Sequence, residues 1–163
     1  MSSDIDVAFD TARELGILVA ERDCGHDYAW DGKTMALFCD GVKRSASTLF
    51  HEIAHYQCAH PSRRSIPEFG LGTAPDSSKH AKYKKSLDAT KEECAASLLG
   101  IAWELEHGVG KRGENWANTL DLHNWGETIF DVGPGSPQRY LRWLHRHGLL
   151  SDGRPQLVLR THR

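Results

Sequence analysis

Apolar residues recur at Ile5, Ala8, Phe9, Ala12 and Leu15, the spacing of a helix with one buried face, and Gly16 supplies a stop. This predicts a first helix over residues 4–15. The unbroken apolar run Ile17-Leu18-Val19-Ala20 reads as a strand. Tyr28–Trp30 and Thr34–Phe38 flank Asp31-Gly32, a turn dipeptide typical of hairpins, so a small sheet is expected after the helix. Ser45 stands where an N-cap belongs, and Ala46, Leu49, Phe50, Ile53 and Ala54 mark the buried side of a second helix ending near Pro61.

Beyond Pro61 the periodicity dissolves into Arg63-Arg64, the turn-like Pro67-Glu68-Phe69-Gly70-Leu71-Gly72, and a lysine cluster at Lys79, Lys82, Lys84 and Lys85. Loops of this length in compact domains usually carry function or lack order. Thr90 is the expected cap of a third, core helix running to about Glu106, with Gly108 and Gly110 ending it. Two further helices are expected near residues 114–130 and 137–147, and Ser151-Asp152-Gly153 with Gln156–Leu159 suits a short hairpin. The order predicts one α+β domain over residues 1–163. In it, a small mixed sheet packs on the second helix and on a Glu-bearing core helix, within a core of residues 1–110. Residues 111–163 form a helical C-terminal extension.

At 163 residues, with 39% hydrophobic and 26% charged residues, the composition is that of a globular domain, and no apolar run approaches the length of a membrane span. Membrane partners are not expected. The N-terminus has neither the basic start nor the apolar stretch of a signal peptide, which points to the cytoplasm. Cys24, Cys39, Cys58 and Cys94 form no CxxC pair, so reduced thiols are expected rather than a zinc ribbon or a disulfide framework. A net charge of -2 argues against wholesale electrostatic binding of nucleic acid.

Ten histidines are unusual for this length, and two of them carry the chemistry. His51-Glu52-Ile53-Ala54-His55 is an HExxH motif lying in the predicted second helix. Residues four apart share a helix face with Cβ atoms about 5–6 Å apart, so His51 and His55 can offer imidazole nitrogens to one tetrahedral zinc. Glu52 beside them suits the general base that takes a proton from zinc-activated water. A His-rich chain produces such spacings by chance, and the context of helix, preceding strand and later acidic helix favours the metal reading.

A catalytic zinc needs a third protein ligand and an open fourth position. His60 follows His55 by five positions and lacks the intervening Gly of the metzincin pattern, so it is set aside. Glu92 and Glu93 lie 37 and 38 positions after His55, allowing a helix, a loop and a return. Glu92 is preferred, with Glu93 close behind; Asp76, His80 and Asp88 are weaker candidates.

These residues resemble the ImmA/IrrE family of zincin-like metallopeptidases, which occurs in bacteria, phages and other mobile elements. The similarity runs from Ile5 to about Glu106 and rests on the order helix, sheet, Thr48-Leu49-Phe50-His51-Glu52-Ile53-Ala54-His55, then a Glu-x-x-Ala helix. Glu92-Glu93-Cys94-Ala95-Ala96 keeps the Glu and the Ala three later, while Cys94 and Ala96 replace the family's second Glu and its Asn or Asp. A weaker similarity is to the protease-like domain of ArdC antirestriction proteins. The resemblance implies a zinc-dependent metallopeptidase acting on a protein or peptide, in some members a regulator. It also implies that an extended substrate pairs with the strand Thr34–Cys39.

His80, Tyr83, His123 and Trp125 are candidates for stabilising the oxyanion, with no spacing to choose among them. Arg139, Arg142 and Arg146 lie on an amphipathic helix whose apolar residues are expected to pack inward. A DNA contact there is the less favoured reading. It belongs to the alternative function, a mobile-element or antirestriction-type regulator that binds a partner or DNA through a non-catalytic zincin site.

Overall fold

The computed structural model describes residues 3–25, 27–71, 87–109 and 137–161. Helix α1 (Asp4–Glu14) starts at a capping box in which Ser3 and Asp6 exchange side-chain and backbone hydrogen bonds. It buries Ala8 and Ala12 and ends at Gly16, whose φ of 78° only glycine adopts without cost. Three strands follow: β1 (Leu18–Asp23), β2 (Thr34–Cys39) and β3 (Val42–Lys43). They form one mixed sheet in the order β1-β2-β3, with β1 parallel and β3 antiparallel to β2. The turn between β2 and β3 is Asp40-Gly41, with φ of 52° and 79°, a mirror-type turn that suits the twist of a tight hairpin.

The expected hairpin across Asp31-Gly32 survives as a single bridge between Trp30 and Met35. Apart from the Ala29 carbonyl, which accepts from Ala36 N–H at 2.8 Å, backbone groups of residues 28–30 are engaged elsewhere. The Arg22 guanidinium donates to the Tyr28 carbonyl at 2.7 Å, Ala29 N–H donates to the Glu68 carboxylate at 2.9 Å, and the Trp30 carbonyl accepts from Glu68 N–H at 2.8 Å. The expectation that Thr34–Cys39 offers its edge to a substrate is also corrected. β2 is the central strand, and Thr34, Ala36, Leu37 and Phe38 have backbone groups bonded to Asp31, Ala29, Arg44 and Cys24.

Helix α2 (Ala46–Cys58) is capped by Ser45, whose hydroxyl accepts from Thr48 N–H, and it buries Leu49, Phe50, Ile53 and Ala54 as the periodicity predicts. Two 3-10 turns, Pro61–Arg63 and Pro67–Gly70, lead away from it. Helix α3 (Leu87–His107) begins three residues before the expected cap at Thr90. Cys94, Ala95, Ala96, Leu98, Leu99, Ile101 and Trp103 are all buried, so α3 is apolar nearly all round and sits centrally, packed along α2.

Helix α4 (Pro137–Arg146) packs on α3 through buried Tyr140 and Leu144 while Arg139, Arg142 and Arg146 stay exposed. A two-residue turn, Asp152-Gly153, joins β4 (Leu150–Ser151) to β5 (Arg154–Pro155). Apolar residues of all four helices and of β2 and β4 join one core, so the described structure is α+β. No helix among the described residues is long and apolar enough to cross a membrane. The predicted helix near 114–130 lies outside the described residues.

Candidate metal centre

His51 and His55, one turn apart on α2, bring their Nε2 atoms within 3.1 Å of each other with the rings nearly perpendicular, at 82°. Glu93 enters from α3, one carboxylate oxygen 3.3 Å from His51 Nε2 and the other 3.1 Å from His55 Nε2. A tetrahedral zinc with bonds of about 2.0–2.1 Å has ligand-to-ligand edges of about 3.3 Å. Each separation is close to such an edge, with the two histidines facing different oxygens of the Glu93 carboxylate. Among the described residues, they are the one group of His, Cys, Asp and Glu placed closely enough to hold a metal ion.

Close helix packing makes this meeting geometrically accessible. Gly100 lies two turns after Glu93 on the same face of α3, and a Cβ there would sit 3.2 Å from the Cα of His51. The missing side chain lets the two backbones approach beside His51.

Burial alone would drive His55 toward its neutral form, but the charge and hydrogen bond of Glu93, aided by Glu52 and Glu92, outweigh it and raise the imidazole to about 9. Burial likewise opposes ionisation of Glu93, yet His55 and His51 hold its carboxyl far below the usual carboxylate range. The cluster is thus an anionic carboxylate facing cationic imidazole, an arrangement in which a divalent cation can take the place of the proton.

Glu52 lines the same cleft. Its Oε1 lies 3.4 Å from the Arg44 guanidinium, which is itself anchored by a 3.0 Å bond to the Ala36 carbonyl. Among the described residues its buried Oε2 has no hydrogen-bond partner, and neither has Nδ1 of His55. Leaving a buried polar atom unsatisfied costs about 1–3 kcal/mol, so the Glu52 oxygen, which lines the cleft, marks a place built to receive something, whereas His55 Nδ1 is the ring nitrogen turned away from the cluster. The donor set of two imidazoles and a carboxylate fits zinc.

The cleft measures about 200 Å³, and Glu68, Phe69 and Leu71 complete its wall. It opens toward solvent on the side of His51 and Glu93, each with a side chain 36% exposed, whereas that of His55 is 6% exposed. The wall is strained: Glu68 and Phe69 adopt φ of 50° and 55°, a conformation costing non-glycine residues about 1–3 kcal/mol each. The stacking of Phe69 between the rings of Trp30 (5.3 Å, 7°) and His55 (5.8 Å, 13°) helps to hold it there.

Of the residues singled out from sequence, the structure brings together His51, Glu52, His55 and Glu93. Glu92, the preferred third ligand, points elsewhere: its buried carboxylate is gripped through both oxygens by Arg63, at 2.7 and 2.8 Å. Consecutive helix positions are rotated by about 100°, so only one of the pair can face the histidines. Asp88 falls in the first turn of α3, and His60 Nδ1 caps a 3-10 turn by accepting from Ser62 N–H at 3.2 Å. Asp76, His80, Tyr83, His123, Trp125 and the lysines at 79–85 lie outside the described residues. Glu68 and Phe69 belong to the turn-like segment 67–72, which the sequence offers as structural or as part of the substrate cleft, and here they line the cleft. Arg44 and Gly100 are not legible as site residues in the sequence, since each reaches the site through tertiary packing. Comparisons with protein-family models, with curated proteins and with solved structures find no match, so the functional reading rests on the geometry around His51, His55 and Glu93.

Proposed function

We propose that this chain is a zinc-dependent metallopeptidase-type hydrolase of zincin-like build, acting on a protein or peptide. The observation that carries the reading is the approach of His51 Nε2, His55 Nε2 and a Glu93 carboxylate to mutual distances of 3.1–3.3 Å. The HExxH motif and the order of elements shared with ImmA/IrrE proteins support it. His51, His55 and Glu93 would hold the ion, and zinc bound there would supply Lewis-acid polarisation of a carbonyl and activation of water.

The chain's own residues supply the rest. Glu52 presents a buried carboxylate oxygen, unpartnered among the described residues, in the cleft, where it can accept a proton and return it to a leaving amine. Arg44 fixes the other oxygen, so the carboxylate is oriented before substrate arrives. Phe69 and Leu71 give the cleft an apolar wall that limits water around the scissile bond.

The test compares wild type with Glu52→Gln on a mixture of unfolded protein substrates, with cleavage read by mass spectrometry and zinc by elemental analysis. The expected result is zinc in both proteins and cleavage only by wild type. Full cleavage by Glu52→Gln overturns the mechanism.

A further inference from the structure

We infer that Arg63 is a positioning residue for the metal centre, acting as a clamp that joins the two walls of the cleft. One of its nitrogens donates both to the Phe69 carbonyl, at 2.7 Å, and to a Glu92 oxygen, at 2.8 Å, while the second reaches the other Glu92 oxygen at 2.7 Å. The first contact fixes the strained turn whose Phe69 ring lies flat against His55. The other two fix the residue that precedes Glu93. A single guanidinium therefore sets both the ring packed on one ligand and the helical turn that presents another. Glu92 is 4% exposed, so its charge has to be matched within the protein. Arg160 approaches the same carboxylate at 3.5 Å and bonds the Cys58 carbonyl at 3.1 Å, adding to the charge that faces Glu92.

The planar fork is what this role demands. It binds a carboxylate through two parallel hydrogen bonds and still reaches a carbonyl, whereas a lysine ammonium offers charge without the fork. Partners that orient metal ligands from outside the coordination shell are typically worth about 10–100-fold in metal affinity. Neither Arg63 nor Glu92 is among the described residues that line the cleft, so their effect is on assembly of the site and not on proton transfer.

The inference rests on the proposed zinc site, and the experiment separates the two. Zinc affinity of the metal-free full chain is measured by competition with a chromophoric chelator for wild type, Arg63→Gln, Arg63→Lys and Glu92→Gln. Circular dichroism identifies the folded variants and gives their thermal midpoints. We expect about 10–100-fold weaker zinc binding in folded Arg63→Gln, a weakening in the same direction in Glu92→Gln, and no recovery in Arg63→Lys. Unchanged affinity in folded Arg63→Gln, with only a lower thermal midpoint, overturns the clamp and leaves the zinc site standing. If Arg63→Gln does not fold, Arg63→Lys and Glu92→Gln decide by the same readout. Failure of wild type to bind zinc overturns the metal reading itself, and the clamp with it.

Discussion

Helix α2 carries two buried polar side chains two positions apart, and they are treated in opposite ways. Gln57 is fully buried with its amide group well used: its Nε2 donates to the Gln156 and Val158 carbonyls at 2.8 and 3.0 Å, and its Oε1 accepts from Trp103 Nε1 at 2.8 Å. These bonds, with Arg160 N–H donating to the Gln57 carbonyl at 2.9 Å, fasten the C-terminal segment to the end of α2. His55 is buried too, yet among the described residues its Nδ1 has no partner, and neighbouring Glu52 leaves an oxygen unsatisfied. Two positions is about 200° of helical rotation, so the face that carries Gln57 closes its hydrogen bonds while the face that carries His55 stays open. The contrast separates a polar group kept for architecture from groups kept for chemistry.

Substitutions on the two faces should therefore fail in different ways. The largest effect is expected from His55→Ala. Outer-shell partners alone are worth about 10–100-fold in metal affinity, and loss of a direct ligand should exceed that, abolishing stoichiometric zinc at micromolar protein. Elemental analysis after purification without added metal checks it. Gln57→Ala should do the reverse. It strands Trp103 N–H and two carbonyls and should cost about 2–4 kcal/mol in urea unfolding, while folded protein keeps its zinc affinity. Zinc loss in folded Gln57→Ala would break the contrast.

Gly100→Ala tests the packing of α3 on α2 beside His51. A Cβ 3.2 Å from the His51 Cα forces α2 and α3 apart by a few tenths of an ångström, so a destabilisation of about 1–3 kcal/mol should come with weaker zinc binding. The smallest effect is expected on α4. Changing exposed Arg139, Arg142 and Arg146 to Gln should shift stability by no more than about 0.5 kcal/mol each and leave zinc binding unaltered. A strong, salt-dependent affinity of wild type for DNA that these changes abolish would instead favour a nucleic-acid role for that face.

The parts of this structure that were legible in the sequence are those governed by local rules. Ser45 caps α2 and Gly108 follows α3 with a φ of 59°, while His51 and His55 share a face because residues four apart must. Asp152-Gly153 turns β4 into β5 as a dipeptide of that kind should, although the second arm is Arg154–Pro155 and not the expected Gln156–Leu159, and Asp40-Gly41 makes the same kind of turn between β2 and β3. What could not be read depends on distant partners. The choice between Glu92 and Glu93 turns on Arg63, 29 and 30 positions earlier, which claims the first and leaves the second to the histidines. The failed hairpin at Tyr28–Trp30 turns on Glu68, a residue in an unusual backbone conformation that no local propensity announces. Both are tertiary contacts overriding a local preference.

Zinc K-edge absorption on the purified wild-type chain tests the central claim most directly. The account predicts a first shell of nitrogen and oxygen at about 2.0–2.1 Å with the outer scattering of two imidazoles and no sulfur, and loss of that signal in Glu93→Gln. A zinc–sulfur shell near 2.3 Å, or an unchanged spectrum and stoichiometry in Glu93→Gln, would contradict it.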